Sequence, residues 1–206
     1  MNARRVLPLF LYLVMLISFL SGCATIDQKI NLTYKPLDRS FSRNSGEVFV
    51  SRIDTDAPLR NSKGEWIVGS LNNVHGVRQA DLLSDRSLGE WITDALLLEL
   101  RQSGYTATYA APLPAGAARA IVISDINAFM NVNKGTVSSE TKHELKFNSD
   151  ITLNGQKIKT LSIATRDSKT VALNVSREEK ERIMLLSLQD AMQQLIPELI
   201  VLSNNK

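Results

Sequence analysis

The chain has 206 residues, with 24 Lys and Arg against 21 Asp and Glu, 44% hydrophobic residues and a single cysteine. This near balance of charge provides no long-range field to gather nucleic acid, and one cysteine excludes an internal disulfide or a thiolate metal centre. The length suits one domain with a leader and a tether.

Met1-Asn2-Ala3-Arg4-Arg5 is a short basic start, and Val6 to Phe19 is an apolar run without charge. That run is shorter than the about 20 residues needed to cross a bilayer. It ends in Leu20-Ser21-Gly22-Cys23, the pattern of a bacterial lipobox. Residues 1–22 therefore read as a cleaved lipoprotein signal peptide, with Cys23 as the acylated new N-terminus. The alternatives are an ordinary secretory peptide with an incidental cysteine, or an uncleaved anchor. Stable anchoring takes more than one chain, and diacylglycerol plus an N-acyl chain on Cys23 meets that condition without a transmembrane helix. The next residue is Ala24. In Gram-negative lipoproteins Asp at this place retains the protein in the inner membrane, so Ala24 points to the outer membrane, with the domain facing the periplasm.

Residues 23–46 read as a lipidated N-terminus and tether, polar and interrupted by Pro36, with Ile30, Leu32 and Tyr34 alternating as in a short edge strand. The domain is expected over 47–206. Glu47 to Ile53 is the first clear strand, Thr55 to Gly64 a loop, and Glu65 to Gly69 a second strand placed to be its hairpin partner. Asn72 to Gly76 is rich in turn residues. Ser87 and Glu90 predict a capping box, after which Leu88, Trp91, Ile92, Ala95, Leu96 and Leu100 recur at helical spacing up to a Gly104 cap. Leu97 falls outside that stripe and is a candidate partner contact, although single surface leucines are common.

Tyr105 to Ala110 and Ala120 to Val132 read as strands flanking a Pro/Gly/Ala loop. Thr141 to Leu153 alternates apolar and polar residues, as a half-buried antiparallel strand does. Asn154-Gly155 then suits a type I′ turn, with Gln156 to Thr165 returning beside it. Ser176 and Glu179 predict a second capping box. Met184, Leu188, Ala191, Leu195 and Leu199 form an apolar stripe, and Pro197 predicts a kink or break before it. The sum is an α+β two-layer sandwich, a mainly antiparallel sheet packed by two helices.

Chemistry-bearing motifs are sparse. There is no nucleophile elbow, phosphate loop or dinucleotide fingerprint, so no cofactor is implied. His75 lies in a turn-rich loop and His143 on a strand in step with Leu145 and Phe147, and single histidines are more often structural than catalytic. Glu178-Glu179 suits the first turn of a helix, where carboxylates favour the macrodipole. Trp66 and Trp91 are candidates for stacking on a sugar, with core packing the favoured reading.

The order strand, strand, helix ending at a Gly-aromatic pair, three-strand meander and final helix behind a lipobox resembles the YajG-like bacterial lipoproteins. Carrying the resemblance are Leu20 to Cys23, Asp85-Arg86-Ser87-Leu88 leading to Leu100-Arg101-Gln102-Ser103-Gly104-Tyr105, Ile121 to Ile126, and Ser149-Asp150-Ile151 before the Asn-Gly turn. It spans nearly the whole mature chain, with the lipobox as its specific motif, and Pro197 departs from it. The resemblance implies an outer-membrane, periplasm-facing protein and no agreed activity. Two function classes follow: a non-enzymatic, lipid-anchored module binding an envelope protein or component, or an auxiliary lipoprotein of a lipid or solute transport system. An apolar groove or exposed strand edge would favour the second. An envelope hydrolase would need a carboxylate pair in a cleft, which the sequence does not offer.

Overall fold

The structure is a computed structural model that describes residues 26–38, 45–54, 59–172 and 174–204. Leu20, Ser21, Gly22, Cys23 and Ala24 lie outside the described residues, as do the positions of the leader. The fold is α+β, with two helices packed on one face of an eight-stranded mixed sheet. The strands are β1 (Gln28–Lys29), β2 (Glu47–Arg52), β3 (Trp66–Asn72), β4 (Arg78–Ser84), β5 (Thr106–Tyr109), β6 (Arg119–Lys134), β7 (Ser138–Leu153) and β8 (Gln156–Ala172). The helices are α1 (Leu88–Gln102) and α2 (Arg177–Asn204).

β6 organises the sheet. One edge pairs along its length with β7, antiparallel, and β7 pairs with β8 in the same sense. The other edge is shared: β2 lies parallel to residues 120–123 and β3 parallel to residues 130–133. Between these halves the register with β7 shifts at Ser124 to Asn127, and Asp125 takes a φ of +52°. Such a bulge bends a strand and increases its twist. Asn148 Nδ2 donates to Asp125 Oδ2 at 2.7 Å across the ladder, fixing the bend.

The β7–β8 hairpin follows the sequence pattern. Alternate β7 residues from Ser139 to Ile151 are buried. Asn154 and Gly155 have φ of +50° and +76°, the positive pair that a type I′ turn requires. α1 also matches its signals. Ser87 and Glu90 exchange both bonds of the capping box. At the other end Gly104 donates to the Arg101 carbonyl and Tyr105 to that of Leu100, the paired bonds of a Schellman cap.

Several expectations are corrected. β3 is not the hairpin partner of β2; it pairs antiparallel with β4 and parallel with β6. β4 itself, Arg-Gln-Ala-Asp-Leu-Leu-Ser, has little β-branched character and was not expected. α2 runs unbroken through Pro197 to Asn204. The buried Leu195, Ile196 and Leu199 hold the turns around the proline against the core. Leu97 is buried, on the same flank of α1 as Thr93, which receives Arg52 of β2. Residues 26–38 do not stand off the domain as a tether would: Ile30, Leu32 and Leu37 are core residues.

Candidate functional site

The buried N-terminal segment is a strap, and its anchorage explains its course. Asp27 accepts the Asp81 amide at 2.9 Å, and Ile30 donates to the Leu83 carbonyl at 2.7 Å, which docks β1 on the β4 edge. The strap then follows α2. Lys180 Nζ donates to Gln28 Oε1 at 2.8 Å, Glu181 Oε1 accepts the Asn31 amide at 2.8 Å, and Gln189 Nε2 donates to the Lys35 carbonyl at 2.8 Å. It ends on α1, where Glu99 Oε1 accepts the Tyr34 hydroxyl at 2.6 Å and the Leu37 amide at 2.8 Å. Burial, and then the bond to Glu99, push the Tyr34 hydroxyl pKa up, so it stays a donor. Burial also lowers the Lys180 pKa, with Lys134 acting in the same direction.

Glu99 was not singled out from the sequence. It occupies a position three residues after Leu96 and four after Ala95, within the apolar stripe, and an acidic residue there is the legible signal.

At the end of the molecule where the strap enters, two turns stand side by side. In the β3–β4 turn the Asn73 side chain accepts the His75 and Val77 amides at 2.9 and 3.0 Å, an Asx-type arrangement. In the β6–β7 turn Gly135 donates to the Ser138 carbonyl at 2.7 Å. A side chain at Gly135 would stand 2.5 Å from that carbonyl oxygen, so glycine is needed for the close approach. The turns are brought together because Asn72 of β3 pairs with Asn133 of β6. Between them lies an open hollow of about 490 Å³, lined by Asn73, Val74, Lys134, Thr136, Ser138 and Glu140 among others. It presents amide and hydroxyl groups, one cationic group (Lys134) and one carboxylate (Glu140), a surface able to bind by hydrogen bonding.

The remaining candidates are dispersed. His75 is exposed on the β3–β4 turn. His143 is 0% exposed beneath α2, opposite Met130 and Asp167 in register, and neither ring nitrogen has a hydrogen-bond partner among the described residues. Burial pushes its pKa down to about 4, against a weaker upward effect of Glu144. The two imidazoles are not brought together. Trp91 is buried in the core, and one face of the half-buried Trp66 is covered by the Arg60 guanidinium at 3.8 Å. Glu178 and Glu179 sit in the first turn of α2. The Ser176 hydroxyl accepts the Glu179 amide at 3.2 Å, but the Glu179 carboxylate turns to Lys169 and Arg182, which hold its pKa at about 2. Among the described residues no cluster of three or more His, Cys, Asp and Glu is placed to hold a metal, and no helix is long and apolar enough to cross a membrane.

No protein-family profile matches the chain, and no curated protein matches it in sequence. Solved structures similar to it include a Xanthomonas campestris protein of the DUF330 family, 14% identical, covering 84% of this chain and 92% of that one with a TM-score of 0.45. A minor lipoprotein from Acinetobacter baumannii is 12% identical, covering 64% of this chain and 88% of that one, with a TM-score of 0.41. The rare lipoprotein B from Shewanella oneidensis is 9% identical, covering 66% and 98%, with a TM-score of 0.35.

Proposed function

We propose that this chain is a lipid-anchored, periplasm-facing outer-membrane lipoprotein of YajG-like type, a non-enzymatic module that binds an envelope partner. Cys23 carries the acyl chains and Ala24 sets the outer-membrane destination. The observation that carries the reading is where the chain enters the fold. Asp27, four residues after Cys23, is already bonded to β4, so a lipid on Cys23 would fix the whole domain directly at a membrane. A second reading, an auxiliary lipoprotein of a lipid or solute transport system, is favoured by β8. Among the described residues its outer edge is unpaired along 17 residues, a template for strand addition, although Lys157, Lys159, Arg166 and Lys169 along it guard against indiscriminate pairing.

The test is residue-specific crosslinking in intact cells, from β8 and from the hollow between the turns. A discrete envelope protein captured from either place supports binding, and capture of a transporter subunit along β8 favours the second reading. Cys23→Ala is expected to block acylation, and Ala24→Asp to move the protein to the inner membrane on density gradients. Turnover of peptidoglycan fragments by the purified protein would reject the non-enzymatic reading.

A further inference from the structure

Among the described residues the two most exposed large apolar side chains, Ile26 at 78% and Val137 at 77%, lie at the same end of the molecule. Ile26 precedes β1 on the β4 edge, and Val137 is the tip of the β6–β7 turn. Val74 and Val77, also exposed, form the β3–β4 turn beside it, where Val74 and Thr136 line the same hollow. β1 lies parallel to β4 with Gln28 opposite Leu82. Ile26 therefore stands near Ala80, about 10 Å along β4 from Val77. Solvent-facing valines at two adjacent turn tips stand outside the core, and grouped exposed apolar side chains mark an interaction surface.

The length of chain outside the described fold identifies what this surface meets. Two residues, Ala24 and Thr25, separate Cys23 from Ile26, and whatever their path the three steps span at most about 11 Å. If Cys23 carries lipid, as the proposed function holds, Ile26 cannot leave the immediate neighbourhood of the bilayer interface, and both turn tips are held with it. We propose that Ile26, Val74, Val77 and Val137 form a rim that inserts into the lipid surface beside the anchor and seats the domain in one orientation. In that orientation β6 to β8 run away from the membrane, and the Asn154-Gly155 turn stands at the far end, about 50 Å along the 16 residues of β7.

The full-length protein tests this after purification in detergent and reconstitution into vesicles of phosphatidylethanolamine and phosphatidylglycerol. Single variants Val74→Cys, Val77→Cys and Val137→Cys are labelled with an environment-sensitive fluorophore, with Ile158→Cys near the far turn as reference. These sites are exposed, so the labels do not disturb the core. The parent chain reports on the anchor in parallel, because an acylated Cys23 has no free thiol to label and its lipid is seen in the intact mass. The expected result is an acylated chain whose turn-tip labels are blue-shifted and quenched severalfold more by nitroxide lipids than the label at Ile158. An acylated chain with tips no more quenched than Ile158 overturns the rim and leaves the anchor standing. A blue shift that nitroxide lipids do not quench means that protein covers the tips, and also overturns it. A parent chain that labels at Cys23 and lacks lipid mass rejects the anchor reading and the rim with it.

Discussion

α1 and α2 rest on the same face of one sheet, yet the polar groups buried with them are treated in opposite ways. Glu99 of α1 is fully buried; its Oε1 takes two donors from the strap, 62 and 65 residues away in the chain, while its Oε2 has no hydrogen-bond partner among the described residues. His143, beneath α2, is equally buried, and among the described residues neither of its ring nitrogens has a hydrogen-bond partner. The first group organises the chain around it, because leaving its donors unmet would be expensive. The second organises nothing, and its burial is tolerable only while the ring is neutral. The difference separates a polar group that specifies the fold from one that makes the fold sensitive to conditions.

The strongest way to break this comparison is Glu99→Ala. It removes a buried side chain and strands the Tyr34 hydroxyl and the Leu37 amide, so a loss of about 2–4 kcal/mol is expected in urea unfolding. Proteolysis within residues 26–38 should accelerate by more than the global loss explains, because the strap loses its attachment to α1. An unchanged midpoint would mean that Glu99 does not hold the strap.

Acid should act on the other side of the comparison. The His143 pKa is pushed below its ordinary 6.5, to about 4. The unfolded chain therefore binds a proton that the folded chain refuses between these values, and stability falls as pH drops from about 6.5 towards 4. The total is on the order of 3 kcal/mol, at about 1.4 kcal/mol per pH unit. Glu179 works in a lower window. Its pKa is held at about 2, so its contribution is whole above the ordinary carboxylate range and is lost as pH falls through that value. His143→Phe should flatten the slope between pH 6.5 and 4 and leave the lower one. A wild-type unfolding free energy that does not change between those pH values would show that the ring is not buried as a neutral group.

What the sequence made legible divides along physical lines. The capping box of α1, its apolar stripe and the Asn154-Gly155 turn are set by residues within a few positions of one another, and all were readable. The strap is legible only in part: Ile30, Leu32 and Tyr34 alternate as in a short edge strand, but the bonds that hold residues 26–38 on the core come from Glu99, Glu181 and Gln189, far along the chain. β4 was missed because its stability comes from β3 and β1 rather than from its own propensity. The hollow between the turns depends on parallel pairing of residues 61 positions apart, which no local pattern encodes.

A smaller perturbation sharpens the Glu99 half. Tyr34→Phe removes one donor but leaves Leu37 on the same carboxyl oxygen, so the loss should be about 1–2 kcal/mol. In a cycle with Glu99→Ala the two changes should be strongly non-additive, since each deletes the same bond. Additive losses would mean that the hydroxyl and the carboxyl contribute independently of each other.

The least effect is expected at the N-termini of the helices, where the same contrast recurs. Ser87 is buried, and its hydroxyl accepts the Glu90 amide at 3.0 Å while Glu90 returns a bond to the Ser87 amide. Ser176 is exposed and gives α2 the first of these bonds alone, at 3.2 Å, because Glu179 is engaged by Lys169 and Arg182. Ser87→Ala leaves an amide that water reaches poorly and should cost about 1–2 kcal/mol. Ser176→Ala leaves an amide that water can satisfy, and it keeps the Glu179 ion pairs, so about 0.5 kcal/mol is expected. Paired thermal and urea unfolding of the two variants decides the matter. Equal losses would show that the end of α2 is as dependent on its cap as that of α1, and that the departure of Glu179 from the box has no energetic consequence.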